Sequence, residues 1–161
     1  MTYEMKITGI SIFLLEKLYN TDKLERKVAY MRTLPPHTTG FTLANLLDTN
    51  GYRLIPSFED HDLKHLLLGY AYTMPDEIRM QAYLIGNGNF TWPCLVFFLS
   101  LLWFYPSSWR HLLKDYRQGR RSPSILALSI DDCMELPLQE TICRYGRSHI
   151  ISKKKVVVTG G

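Results

Sequence analysis

The chain has too few cysteines to build a framework from them. Cys94, Cys133 and Cys143 are odd in number and widely spaced, and no C-x-x-C pair occurs among them. Such a set argues against a disulfide framework and against a cysteine-rich zinc site. We therefore interpret the three thiols as small buried hydrophobes in a protein of a reducing compartment.

Long apolar runs are also lacking. The most apolar stretch, residues 91–105, carries no charge but is shorter than the roughly 20 residues that a membrane-spanning helix needs. Its apolar residues lie all around a helix, which predicts a buried central helix or, alternatively, one that lines an apolar cavity or dips into a membrane surface. Residues 1–19 show neither a secretory nor a mitochondrial leader pattern, so we expect a cytoplasmic protein.

Alternating strand patterns are nearly absent, with residues 156–158 as the one exception. Caps, prolines and glycines instead divide the chain into helical stretches. The predicted helices span about 7–19, 22–32, 42–48, 58–68, 73–86, 106–119 and 137–146. The sequence thus predicts an all-α fold: a single-domain helical bundle over residues 1–150, with a metal site on a helix-turn-helix and a basic, flexible tail at 151–161.

The excess of positive charge is small and local. The formal net charge is +4, which is too modest to indicate a nucleic-acid partner. One predicted helix carries basic residues that form either a solvated face or a contact with an anionic lipid head group or phosphate. These residues are Arg110, Lys114, Arg117, Arg120 and Arg121.

Potential metal ligands occur at helical spacing. His61 and His65 are four residues apart, so a helix places both imidazoles on one face. Glu77 follows in the first turn of the next predicted helix, and a fold-back between the two helices would bring its carboxylate to the histidines. Two histidines and one carboxylate predict a divalent metal site, most typically zinc, with a position open to water or substrate.

Asp62 completes the predicted set of metal-site residues. It points about 100° away from His61 around the helix, so we favour a role in orienting a histidine over direct ligation. The alternative is that the two histidines belong to a solvated helix face, which is common for a bare H-x-x-x-H pair. The capping-box pattern Ser57-Phe58-Glu59-Asp60 before His61 and the position of Glu77 favour the metal site.

The same residues carry a resemblance to a known family. His61-Asp62-x-x-His65, then eleven residues and Glu77, resembles the zinc motif of the coenzyme Q biosynthesis protein 4 family, in which a glycine is also usual at the position of Gly69. The segments 35–40 and 116–121 resemble flanking segments of that family. The similarity covers about residues 34–146, and residues 153–161 show none.

This resemblance implies an α-helical fold, a zinc or other divalent metal site, and affinity for prenylated lipids. It further implies association with a membrane surface, such as the inner membrane. The part in ubiquinone synthesis that it implies is oxidative C1 decarboxylation of a polyprenyl-hydroxybenzoate, which is a lyase reaction. The implied partners are a prenylated quinone precursor or lipid and other quinone-biosynthesis proteins. It assigns no catalytic residue to this chain.

Two other functions remain open from the sequence. The first is a non-catalytic lipid-binding scaffold of a biosynthetic complex, in which the metal only ties two helices together. A metal-dependent hydrolase is the other alternative, because H-D-x-x-H is superficially similar to hydrolase motifs. Asp62 stands where a zincin has its glutamate base, and no further separated ligands can be assigned.

Overall fold

The all-α prediction is confirmed for the part of the chain that the computed structural model describes, which is residues 22–56, 58–90, 95, 98–99 and 109–146. These residues form helices and no β-strand, apart from an isolated bridge between Thr38 and Pro137. The helices are α1 (Asp22–Thr33), α2 (Thr39–Asn50), α3 (Glu59–Leu68), α4 (Met74–Gly86), α5 (Trp109–Arg121), α6 (Ile130–Cys133) and α7 (Leu138–Tyr145). Leu95, Phe98 and Leu99 are also helical.

Local signals explain most of these boundaries. Helix α2 begins at Thr39 and not at the predicted Thr42, because the Thr38 side chain caps it by accepting the N–H of Phe41. Gly51 ends α2 in the left-handed region at φ 67°, where a residue without Cβ is favoured. Helix α6 was not predicted, although Ser129 and Asp132 form its capping box.

Several predictions fall outside the described residues. They include the helix at 7–19, the cap at Ser57, most of the apolar stretch 91–105, and the strand pattern at 156–158. The proposed division into a domain of residues 1–150 and a tail of residues 151–161 also stays a prediction. Among the helices that are described, none combines the length and the apolar character that crossing a membrane requires.

The contacts group the chain into two compact units. The first comprises the described residues from Asp22 to Leu63 together with Ser129–Leu138. Its core is formed by buried side chains of α1, α2 and α6, and backbone bonds from Thr39 to Leu136 and from Gly40 to Met134 attach α2 to the later segment. Ile130 donates its N–H to Asp60 at 2.9 Å, which ties the start of α6 to the start of α3.

The second unit comprises the described residues among 64–128 and 139–146. Helices α4 and α5 cross so closely that their backbones nearly touch: a Cβ built on Gly86 would overlap the Tyr116 carbonyl oxygen, and one on Gly119 the Tyr83 carbonyl oxygen. Only glycine permits this approach. Buried side chains fill the core of this unit, including Leu68, Tyr70, Met80, Tyr83, Leu84 and Ile125.

One asparagine secures the connection after α5. Asn87 caps the end of α4, and its side-chain amide donates to the carbonyl oxygens of Gly119, Ser122 and Pro123 at 3.0 to 3.3 Å. Its Oδ1 atom accepts the N–H of Ile125 at 2.9 Å. A single side chain thus satisfies backbone groups that the end of α5 would otherwise leave without partners.

The cysteines need one correction. Cys133 is buried, as predicted, and its thiol donates to the carbonyl oxygen of Ser129 at 3.4 Å. Burial and the nearby carboxylates of Asp132, Asp60 and Asp131 raise the pKa of this thiol to about 12. Cys143, however, is exposed, because it lies on the outer face of the amphipathic helix α7. Cys94 lies outside the described residues.

Candidate metal centre

The predicted ligands are carried by two helices joined by a tight turn. His61 and His65 lie on the continuous helix α3, which ends at Leu68 because Gly69 adopts the left-handed region at φ 66°. Thr73 then caps α4 by accepting the N–H of Asp76, and a proline in the first turn supports this start. Glu77 follows directly and therefore sits near the turn, as the sequence predicts.

The structure brings His61, His65 and Glu77 together. One potential ligand atom from each residue lies within 4.8 Å of the others. Two ligands bound to one tetrahedral zinc ion at roughly 2.0–2.2 Å lie about 3.3–3.6 Å apart, so side-chain shifts of about 1 Å would let all three bind one ion. No second group of three potential ligands occurs among the described residues.

His65 is the most constrained of the three residues. Its side chain is 1% exposed, and its Nε2 atom lies 2.7 Å from Oε1 of Glu77. Its Nδ1 atom lies 3.1 Å from the carbonyl oxygen of Tyr70. A carbonyl oxygen only accepts, so the proton of this hydrogen bond resides on Nδ1. The Nε2 atom is thereby directed at the carboxylate as the potential ligand atom.

This arrangement fits a metal ligand. Histidines that bind metals typically donate their other ring N–H to a backbone carbonyl or a carboxylate, which fixes the tautomer and the ring orientation. The ring of Tyr72 stacks on the His65 imidazole, with centroids 4.2 Å apart and planes 18° from parallel. His65 is therefore held by its Nδ1 proton and by its ring face, while Nε2 faces Glu77.

Asp62 does not belong to the group of converging ligand atoms. It lies on α3 beside His61 and is half-buried. Its role in orienting a histidine stays a prediction.

A network of charged side chains next to the turn between α3 and α4 was not predicted from the sequence. Arg79 of α4 donates from Nε to Asp115 of α5 at 2.8 Å and from Nη1 to Asp76 at 2.9 Å. Its guanidinium carbon lies 5.5 Å from the centre of the Tyr70 ring. Burial would lower the pKa of Arg79, but the carboxylates of Asp115 and Asp76 outweigh this effect and raise it. The only sequence signal was the spacing that places the charged Asp115 on the same face of α5 as Leu112 and Gly119.

An apolar hollow of about 420 Å³ lies in the second compact unit. Phe98 lines it and packs against the buried cluster of Ile78, Ala82 and Leu112, whereas Leu99 is 62% exposed. The prediction that residues 91–105 form a helix against an apolar cavity is thus supported at Phe98, whereas Leu99 is helical but faces away from the hollow. The other residues that line the hollow include Ala82, Ile85, Trp109, Leu112, Leu113 and Tyr116.

The basic residues of α5 are exposed, as both interpretations from the sequence require. Four of them line a shallow groove of about 530 Å³. These four are Arg110, Lys114, Arg117 and Arg121. Leu113 lines both this groove and the apolar hollow, so positive charge and apolar surface meet along one helix.

Comparison with known proteins finds a solved structure of similar fold. A crystal structure of a protein from Nostoc punctiforme PCC 73102, provisionally named a ubiquinone biosynthesis protein, is similar with a TM-score of 0.56. The match covers 86% of this chain and 80% of the other, at 19% identity. The two proteins share a fold. No family model and no curated protein matches the sequence.

Proposed function

We propose that this protein binds one divalent metal ion, zinc in the first instance, through His61, His65 and Glu77, and that it binds a prenylated quinone precursor or a related lipid. The proposal places it with the coenzyme Q biosynthesis protein 4 family. The observation that carries the metal site is the placement of His65, whose Nδ1 proton is held by the Tyr70 carbonyl oxygen while Nε2 faces Glu77.

The fold is consistent with the family part of the proposal. The similar structure from Nostoc punctiforme bears a ubiquinone-biosynthesis name, and the motif residues His61, His65 and Glu77 converge in this chain. The apolar hollow in the second unit provides a surface for a prenyl tail, because its lining is almost entirely apolar. Each methylene group buried there would contribute about 0.8 kcal/mol.

Separate residues of the protein would hold the metal ion and bind the prenyl tail of such a substrate. His61, His65 and Glu77 would hold the ion, and a bound divalent ion supplies Lewis acidity toward a carboxylate or phenolate oxygen. The residues around the hollow, Phe98 among them, would exclude water from the tail. The C1 decarboxylation implied by the resemblance adds a further proposal, on which the binding proposal does not depend.

The test measures metal and ligand separately. Purified protein is assayed for zinc by elemental analysis and then titrated with a prenylated 4-hydroxybenzoate and, as the matched control, with 4-hydroxybenzoate itself. We expect about one zinc ion per chain and much tighter binding of the prenylated compound, because only that compound buries apolar surface. Absence of any divalent metal, or equal binding of both compounds, would contradict the proposal.

The second candidate function is a lipid-binding scaffold in which the metal only joins α3 and α4. The burial of His65, at 1% exposure, favours it, because structural metal sites are closed to solvent. Removing the metal with a chelator separates the two functions. A scaffold would lose thermal stability and bind the prenylated acid unchanged, whereas the leading proposal expects the acid to bind more weakly without metal.

A further inference from the structure

The residues around Arg79 have no role in the binding proposed so far. The Arg79 side chain contacts Asp76, Asp115 and the Tyr70 ring together. The Asp115 side chain is fully buried, so its charge requires a cationic partner that is fixed in place. The guanidinium supplies it in a planar, directional form that a lysine ammonium lacks.

Two of these contacts, those with Asp76 and with the Tyr70 ring, restrain the turn between α3 and α4. Asp76 accepts the backbone N–H of Ala71 through Oδ2 at 3.1 Å and the Arg79 guanidinium through Oδ1. The guanidinium also lies over the ring of Tyr70. Arg79 therefore restrains residues 70 and 71 through an aromatic ring and through a backbone N–H.

The restrained segment is the one that orients His65. The carbonyl oxygen of Tyr70 accepts the Nδ1 proton of His65 at 3.1 Å. If this carbonyl group moved, the imidazole would lose the bond that places its proton on Nδ1 and leaves Nε2 as the ligand atom. A chain of direct contacts thus runs from the buried Asp115 of α5 through Arg79 and Tyr70 to His65.

We infer that Arg79 is a positioning residue of the metal centre, which acts through Tyr70 to hold His65 in the geometry and tautomer that bind a metal. This inference rests on the proposed metal site. It assigns Asp115 a part as well, because this carboxylate anchors the guanidinium from the neighbouring helix.

The test compares metal binding in three variants. Zinc affinity is measured by competition with a chromophoric chelator, and the visible absorption of bound Co²⁺ reports the ligand geometry. In Arg79→Met, we expect zinc affinity to fall by about 10- to 100-fold, which is typical when an outer partner of a metal ligand is lost. The Co²⁺ spectrum should change as well. Arg79→Lys keeps the charge but not the forked contacts, so its affinity should lie between those of Arg79→Met and the unaltered protein.

The third variant, Arg32→Met, is the control. It removes an arginine of α1 that pairs with Asp48 of α2 at 2.7 Å; neither helix carries a metal ligand, so both readouts should stay unchanged. All measurements are made at a temperature at which circular dichroism shows each variant folded. Wild-type affinity and spectrum in folded Arg79→Met would overturn the inference. Should that variant not fold, the same result in Arg79→Lys would overturn it.

A double variant tests the route through Tyr70. Tyr70→Leu removes the ring beneath the guanidinium and should also weaken zinc binding. Because both residues are inferred to act on one carbonyl group, Arg79→Met combined with Tyr70→Leu should cost little more than the larger single loss. Fully additive losses would overturn the route. Failure of the unaltered protein to bind zinc or Co²⁺ would instead contradict the proposed metal site, so the two failures are distinguishable.

Discussion

His65 and Glu77 lie in direct contact, with 2.7 Å between Nε2 and Oε1, although a helix end, a turn and a helix start separate them in the sequence. The contact exists because Gly69 stops α3 and Thr73 starts α4 within a few residues. A short fold-back of this kind places a first-turn carboxylate of one helix against the last turn of the other.

The first prediction concerns these ligands. His65→Ala removes one of three candidate ligands, so zinc affinity should fall by more than the roughly 10- to 100-fold that loss of an outer partner causes. Glu77→Gln keeps the shape but removes the negative charge, and it should weaken zinc binding too. Elemental analysis after dialysis against a weak chelator measures both. His37→Ala is the control, because His37 is an exposed histidine outside the ligand group; zinc retained by His65→Ala at the control level would refute the site.

The second prediction concerns the crossing of α4 and α5. Gly119→Ala would push a methyl group into the Tyr83 carbonyl oxygen, and the helices must separate to accommodate it. We expect a loss of at least about 1–3 kcal/mol in the free energy of unfolding, even though alanine favours helix. Urea denaturation measures the loss. Gly51→Ala is the matched control: its Cβ meets open space, so only its positive φ should cost about 1 kcal/mol. A Gly119→Ala variant no less stable than the unaltered protein would contradict the crossing.

The candidate site was largely predictable because its signals are local. The spacing of His61 and His65, the glycine stop and the cap at Thr73 each act within one or two helical turns, and together they bring Glu77 to the histidines. The same reasoning located α4 and α7 to within a residue or two. These features are encoded by neighbours in the sequence, so a single sequence is enough.

What escaped prediction depends on distant partners. Arg79 and Asp115 are 36 residues apart, and nothing near either residue indicates the other. The same holds for Asn87, whose side chain serves backbone groups more than 30 residues away. Exposure of Cys143 likewise depends on which face of α7 packs inward. The network that supports His65 was therefore beyond the reach of local patterns.

The third prediction follows from the two described cysteines. In a Cys94→Ser background, iodoacetamide at pH 8 should modify Cys143 readily and Cys133 very slowly. A thiol with a pKa of about 12 has roughly a thousandfold less thiolate at this pH than an ordinary thiol with a pKa near 8.5, and burial slows the reaction further. Peptide mass spectrometry over time measures both rates. Raising the pH to 10 should accelerate the modification of Cys133 about a hundredfold, because its thiolate fraction rises about tenfold per pH unit below a pKa of about 12. Equal rates at pH 8 would contradict the placement of Cys133.

The last prediction is that the metal and the prenyl tail are bound by separable parts of the protein. His65→Ala should lower zinc content and leave much of the retention of a fluorescent prenyl analogue, because burial of the tail depends on apolar area and not on the ion. Phe98→Asp should have the reverse effect, since it places a charge in the wall of the apolar hollow. Leu99→Asp is the matched control: it introduces the same charge one residue further on, at a side chain that is 62% exposed, and should retain both zinc and the analogue. If each folded variant at His65 and Phe98 lost both properties together while the control kept them, metal and lipid would bind as one unit, and the division of labour proposed between α3–α4 and the hollow would be wrong.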